Sequence, residues 1–194
     1  MARPREFDEN EVLQAALQVF WEKGYEGTSL SDLLEAMGLT KSSLYKAFSS
    51  KEALFRRVVE RYYRDFLGFR QEALAEPTPR RIAERLLYGM TQLHSAELTP
   101  PGCLETNAAL ACSTDAELIR LELARNRERF RLKLRDRFEE TVAVGPLPPG
   151  MTCDDAASLI VTLIQGMAVQ AKAGFSREAS RRVVHAALLS WPES

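Results

Sequence analysis

The stretch Gly27–Phe55, GTSLSDLLEAMGLTKSSLYKAFSSKEALF, constrains this chain more than any other part of it. Apolar residues fall at helical spacing in two short runs, first Leu30, Leu33, Leu34 and Met37, then Leu44, Ala47 and Phe48. Gly38 lies between the runs, and glycine takes a positive φ at little steric cost, so a sharp turn is expected there. Leu39 is expected to tuck inward and Thr40 to cap the following helix, with Lys41, Ser42, Tyr45 and Lys46 left outside. Two short helices joined by a tight turn, the second polar on its outer face, form a helix-turn-helix pattern. Ser50 then caps a longer helix.

Upstream, Glu9 to Lys23 reads as a helix. Asp8 is its N-cap and Glu11 the partner in a capping box, while Val12, Leu13, Ala16, Leu17, Val19 and Phe20 supply its apolar stripe. Gly24 is expected to stop it. The three short helices share one core. From Ser50 a spine helix is expected to run to about Ala75, and Val58, Val59, Tyr62, Tyr63, Phe66 and Phe69 make it unusually apolar for a surface helix. Pro77 and Pro79 mark its end. Further helices are read over about 80–96, 102–111, 115–142, 153–174 and 176–190, with loops at Pro100–Pro101 and at GPLPPG, Gly145–Gly150. No strand is required and no repeat is visible. The expected fold is all-α, with a three-helix head over residues 1–52 and a second helical domain over 53–194.

Composition removes several functional classes. A length of 194 residues with 45% apolar content suits one compact domain or two small ones. The N-terminus lacks a signal-peptide run, and no apolar run approaches the roughly 18 residues of a membrane span. Cys103, Cys112 and Cys153 are an odd, widely spaced set, which fits a reducing cytoplasm rather than a disulfide framework. His94 and His185 make no zinc pattern, so no metal ligands are assigned, and no Gly-rich phosphate loop or other cofactor motif occurs. No paired carboxylates or nucleophile–base set appears, so no catalytic residue is assigned and an enzyme is not expected.

Net charge is −1, so overall charge does not point to nucleic acid, but local charge does. Between Lys41 and Arg57 stand Lys41, Lys46, Lys51, Arg56 and Arg57, opposed by Glu52 alone. Major-groove readout needs short polar side chains near base edges and longer cations for phosphates. Thr40, Lys41, Ser42, Ser43 and Tyr45 supply the first set, and Lys46, Lys51 and Arg56 the second. The Tyr45 hydroxyl suits a phosphate, as does Thr28 at the start of the second helix, where free N–H groups also favour an anion. Arg3 and Arg5 form a basic arm suited to the backbone or minor groove.

These residues carry a resemblance. ALQVFWEKGYEGTSLSDLLEAMGLTKSSLYKAFSSKEALF is similar to the DNA-binding domain of the TetR/AcrR family of bacterial transcriptional regulators. The matching elements include Phe20, Gly24, Gly27–Thr28, Gly38, Leu39, Tyr45, Phe48 and Lys51–Glu52. The resemblance implies an all-helical homodimer of nine or so helices, with a helix-turn-helix head and a C-terminal ligand-binding and dimerisation domain. It implies paired heads on successive major grooves of a near-palindromic operator, a four-helix interface from the last two helices of each subunit, and release from DNA by a small effector. Independently, Leu159, Ile160, Leu163, Ile164 and Met167 put more apolar surface on the penultimate helix than one neighbour easily covers. Val184 and Leu188 join them as interface candidates, and dimerisation suits paired half-sites.

For an apolar effector, Tyr62, Phe66, Leu86, Met90, Leu110 and Met167 are the candidate cavity lining. For an electrophilic or oxidising one, Cys103 is the candidate sensor. It follows Pro100, Pro101 and Gly102 at an expected helix start, where a thiol gains reactivity, and PGCLETNAALACS resembles the matching region of electrophile- and oxidant-responsive repressors in this family. Two other readings are a helical protein-interaction adaptor without DNA binding and, less favoured, an enzyme using the helical cavity. The polar, basic face at Lys41–Lys46 is unlike the apolar anchors of an adaptor.

Overall fold

Short oxygen-bearing side chains set the helix starts. Asp8 accepts from the Asn10 N–H at the start of α1 (Glu9–Gly27). Ser29 opens α2 (Leu30–Met37) through the Asp32 N–H, and Asp32 closes a capping box by accepting from the Ser29 N–H at 2.9 Å. Thr40 opens α3 (Lys41–Phe48) and Ser50 opens α4 (Lys51–Phe66) in the same way. Each such cap is worth about 1 kcal/mol. The computed structural model describes residues 8–95, 99–109 and 116–193.

The head closes around Leu17, Phe20, Leu33, Leu44 and Leu54, all buried. Phe55 stands edge-on to Phe20 and Tyr25, each at 5.0 Å between centroids, and so roots α4 in the head. Gly24 breaks the helical dihedrals of α1 at φ 74°, where the stop was expected. Gly38 takes φ 62° and turns the chain between α2 and α3. Ala47 departs from expectation: it is exposed, because Leu44 and Phe48 alone fill the inner side of so short a helix.

The spine is not continuous. Leu67 leaves helical geometry at φ −107°, ψ 9°, and a separate α5 (Phe69–Leu74) follows. The break turns the Phe69 ring onto Gly89, where a Cβ would sit 2.4 Å from it. Thr78 caps α6 (Pro79–His94), with proline at its first position. Then come α7 (Leu104–Ala109), α8 (Glu117–Thr141), α9 (Cys153–Lys172) and α10 (Arg177–Leu188). All regular structure among the described residues is helical, and no helix among them is long and apolar enough to cross a membrane.

The short α7 ties head to body. The Trp21 indole N–H donates to the Gly102 carbonyl at 3.1 Å, and the Asn107 amide donates to the Trp21 carbonyl at 2.9 Å. Lys172 of α9 reaches the Glu22 carbonyl at 2.6 Å. At the far end Trp191 is buried against Phe138, and Arg80 donates to the carbonyls of Leu188 and Trp191.

Candidate nucleic-acid interface and effector region

The outer face of α3 follows from its length. Two turns give one buried pair, Leu44 and Phe48, and leave Lys41, Ser42, Tyr45 and Lys46 exposed, Tyr45 by 43%. Thr40 is exposed but engaged: its hydroxyl accepts from the Ser43 N–H at 3.2 Å and lies 3.1 Å from the Ser42 hydroxyl and 2.9 Å from that of Ser43. Lys41 and Lys46 form no ion pair among the described residues. The face therefore presents hydroxyls flanked by free cations, a surface matched to a phosphate-lined groove.

Three predicted contacts change character. Thr28 is 1% exposed and its hydroxyl donates to the Gly24 carbonyl at 2.6 Å, so its side chain braces the end of α1 instead of facing a phosphate. Lys51 is half-buried with its ammonium 4.5 Å from the centre of the Tyr25 ring, and burial lowers its pKa. Arg56 and Arg57 are paired with Glu122 and Glu9. Arg3 and Arg5 lie outside the described residues.

The predicted apolar cavity is filled. Tyr62, Leu86 and Met90 are fully buried core, Met167 is 3% exposed, and Phe66 packs on Trp21 at 5.0 Å. α6 packs against α9 and α4 against α1 and α7, pairings that local periodicity does not report. Leu110 lies outside the described residues. Cys103 is 2% exposed, and its sulfur accepts the Tyr62 hydroxyl at 3.3 Å. A reagent reaches that thiol only when the surrounding helices part. Cys112 lies outside the described residues.

Beside Cys103 is a buried polar cluster that sequence reasoning missed. Glu105 accepts the Tyr63 hydroxyl at 2.9 Å and faces Arg70 at 3.9 Å, while the Arg70 guanidinium lies 4.5 Å from the Phe130 ring centre. Burial raises the Glu105 pKa against the opposing pull of Arg70 and Tyr63. No motif links residues from three separate helices, so nothing in the sequence marks the cluster. A cavity of about 20 Å³ lined by Cys103, Glu105, Phe130 and Ile164 adjoins it, room for about one water.

The expected interface stripe is offset. Ile160, Ile164, Met167, Val184 and Leu188 are buried within the single chain, because this stripe of α9 and α10 covers α6 and α8. Leu159 and Leu163 are half-buried. Large apolar side chains left outside on or beside these two helices are Val169, 42% exposed, Phe175, 48%, and Leu189, 72%, with Gly166 open between Leu163 and Val169.

A helical head with a proud polar third helix, set on an all-helical body, defines the class of helix-turn-helix regulators. Residues 12–58 match the family of bacterial regulatory proteins, tetR family, and residues 80–187 match the tetracyclin repressor-like C-terminal domain. The chain belongs to the TetR family of bacterial transcriptional regulators. It is 31% identical over 193 residues to the HTH-type transcriptional repressor ComR of Escherichia coli (strain K12), spanning 98% of this chain and 92% of that one. It is 26% identical over 170 residues to the repressor DhaR of Mycobacterium sp. (strain GP1), spanning 86% and 83%. A cysteine-substituted variant of the TetR family regulator CifR, solved in complex with 26-bp double-strand operator DNA, superposes with a TM-score of 0.91 at 36% identity, covering 98% of this chain and 100% of that chain.

Proposed function

We propose that this chain is a transcriptional repressor that binds a near-palindromic operator as a homodimer and is released by a small effector. The carrying observation is the outer face of α3, where Ser42, Tyr45 and the unpaired Lys41 and Lys46 stand exposed on a helix braced by Leu44 and Phe48. Ser42 and Ser43 act at base edges. Lys41, Lys46 and Tyr45 act at phosphates, and Arg3 and Arg5 extend the contact along the backbone. Residues 1–52 form the DNA-binding unit and residues 53–194 the regulatory and dimerisation unit. Leu159, Leu163, Val169 and Leu189 supply the apolar contact between subunits. A protein acting on chromosomal DNA works in the cytoplasm, which is the location we assign.

Enrichment of bound duplexes from a random pool tests this reading. A two-fold symmetric sequence with half-sites about one helical turn apart is expected. Recovery of no duplex, or of an asymmetric single site, overturns it. The sensor assignment of Cys103 has its own test, mass spectrometry after mild treatment with an electrophile. Faster modification of Cys103 than of Cys112 and Cys153, against its burial, supports a helix-opening sensor, and an equal or slower rate removes Cys103 from the effector response.

A further inference from the structure

The facing stripes of α4 and α8 stand apart instead of interlocking. Phe55, Val59 and Tyr63 from α4 and Ile119, Leu123 and Asn126 from α8 line a cleft of about 830 Å³. That is the size of a pocket for a small organic molecule. None of these six belongs to the cavity read from the sequence, which the fold fills with its own core. Phe55, Val59, Ile119 and Leu123 make an apolar floor, each no more than 7% exposed.

The charges around the floor are uneven in a way that selects a ligand. Glu122 is held by Arg56, which donates from Nε and Nη2 at 2.9 Å each across the cleft. Glu128 is held by Arg131, outside the cleft, at 2.7 Å. Arg125 and Arg129, one turn apart on α8, are left without a carboxylate among the described residues, and Arg129 meets only the Asn126 amide oxygen. Glu60, on the opposite wall, is the one lining carboxylate outside an ion pair among the described residues. Two neighbouring guanidiniums above an apolar floor suit one anionic group on an apolar body.

We propose that this cleft binds the effector, and that the effector is an amphipathic organic anion whose apolar body lies on Phe55, Val59, Ile119 and Leu123 and whose carboxylate or sulfonate is held by Arg125 and Arg129. The proposal deepens the regulator reading and rests on it for its consequence. Phe55 is both cleft floor and the ring that joins α4 to Phe20 and Tyr25 in the head. A body seated on Phe55 and pressing between α4 and α8 acts against the Arg56–Glu122 bridge and shifts the root of the head.

The test uses the full chain with 8-anilinonaphthalene-1-sulfonate as fluorescent probe and octanoate and octylamine as competitors. Octanoate is expected to displace the probe at concentrations at least tenfold lower than octylamine. Arg125 and Arg129 are exposed, so Arg125→Glu with Arg129→Glu leaves the fold in place, checked by helical content and melting temperature. This double variant is expected to lose at least tenfold in probe affinity and to prefer octylamine. Octylamine competing as well as octanoate on the parent, or a double variant that binds the probe as the parent does, overturns the site. Saturating octanoate is expected to weaken the parent's binding to its selected duplex at least fivefold and the double variant's not at all, and unchanged duplex affinity overturns the link to the head. Duplex binding without any probe is measured separately, and its absence alongside intact octanoate binding overturns the regulator reading and leaves the site standing.

Discussion

His94 sits in the last turn of α6, 2% exposed, and neither ring nitrogen has a hydrogen-bond partner among the described residues. Burial, with the Arg70 charge adding to it, holds its pKa down at about 4. Between that value and the ordinary value near 6.5 the unfolded chain takes up a proton that the folded chain refuses. Stability is therefore expected to fall as pH drops from about 6.5 to about 4 and then level off, by about 3 kcal/mol for this group. Denaturant melts of the parent and of His94→Leu across that range check it, since the variant should lose this part of the slope. Gly24 is constrained twice. Its φ of 74° strains any other residue, and an added Cβ would lie 2.9 Å from the Asn107 carbonyl oxygen. Gly24→Ala is expected to cost about 2 kcal/mol or more, read as a lowered urea midpoint with unchanged slope.

At the scale of elements, α3 is aimed by the joint behind it. Ser49 has φ 66° and ψ −44°, and the Ser50 N–H donates back to the Phe48 carbonyl at 2.7 Å, a tight three-residue turn that a side chain strains. Ser49→Gly is expected to stabilise the head by about 0.5–1 kcal/mol in thermal melts. On the exposed face, Lys46→Ala is expected to weaken all duplexes alike and to reduce the salt slope of binding by about 2 per dimer. Ser42→Ala is expected instead to change the ranking among duplexes. Binding titrations over a salt series separate the two roles. The caps Asp8, Thr40 and Ser50 were readable from the sequence, because each is decided within four residues. The break at Leu67 was not readable, because the contact it accompanies, Phe69 on Gly89, joins residues twenty apart in the chain.

For the whole molecule, the proposed subunit contact through Val169 and Leu189 makes a prediction about assembly. Val169→Glu with Leu189→Glu changes only exposed positions, so helical content is expected to stay and the dimer to dissociate. Sedimentation should then give a single subunit. Duplex affinity should drop by about tenfold or more, because the second head loses its effective concentration.

Local order in the sequence was enough for the helix-turn-helix, its exposed polar helix and the all-helical class. Each depends on side chains a turn or two apart, and 3.6-residue periodicity reports which of them share a face. That periodicity does not say what the face meets. Tertiary packing alone decided that Ile160, Ile164 and Met167 close the chain's own core, that Tyr62, Leu86 and Met90 leave no cavity, and that Thr28 braces α1. It also brought Arg56 to Glu122 and Arg70 to Glu105 and left the cleft between α4 and α8 open. Those outcomes depend on how helices distant in sequence are brought together, and an apolar stripe reads the same whether its neighbour is the same chain, a second copy or a ligand.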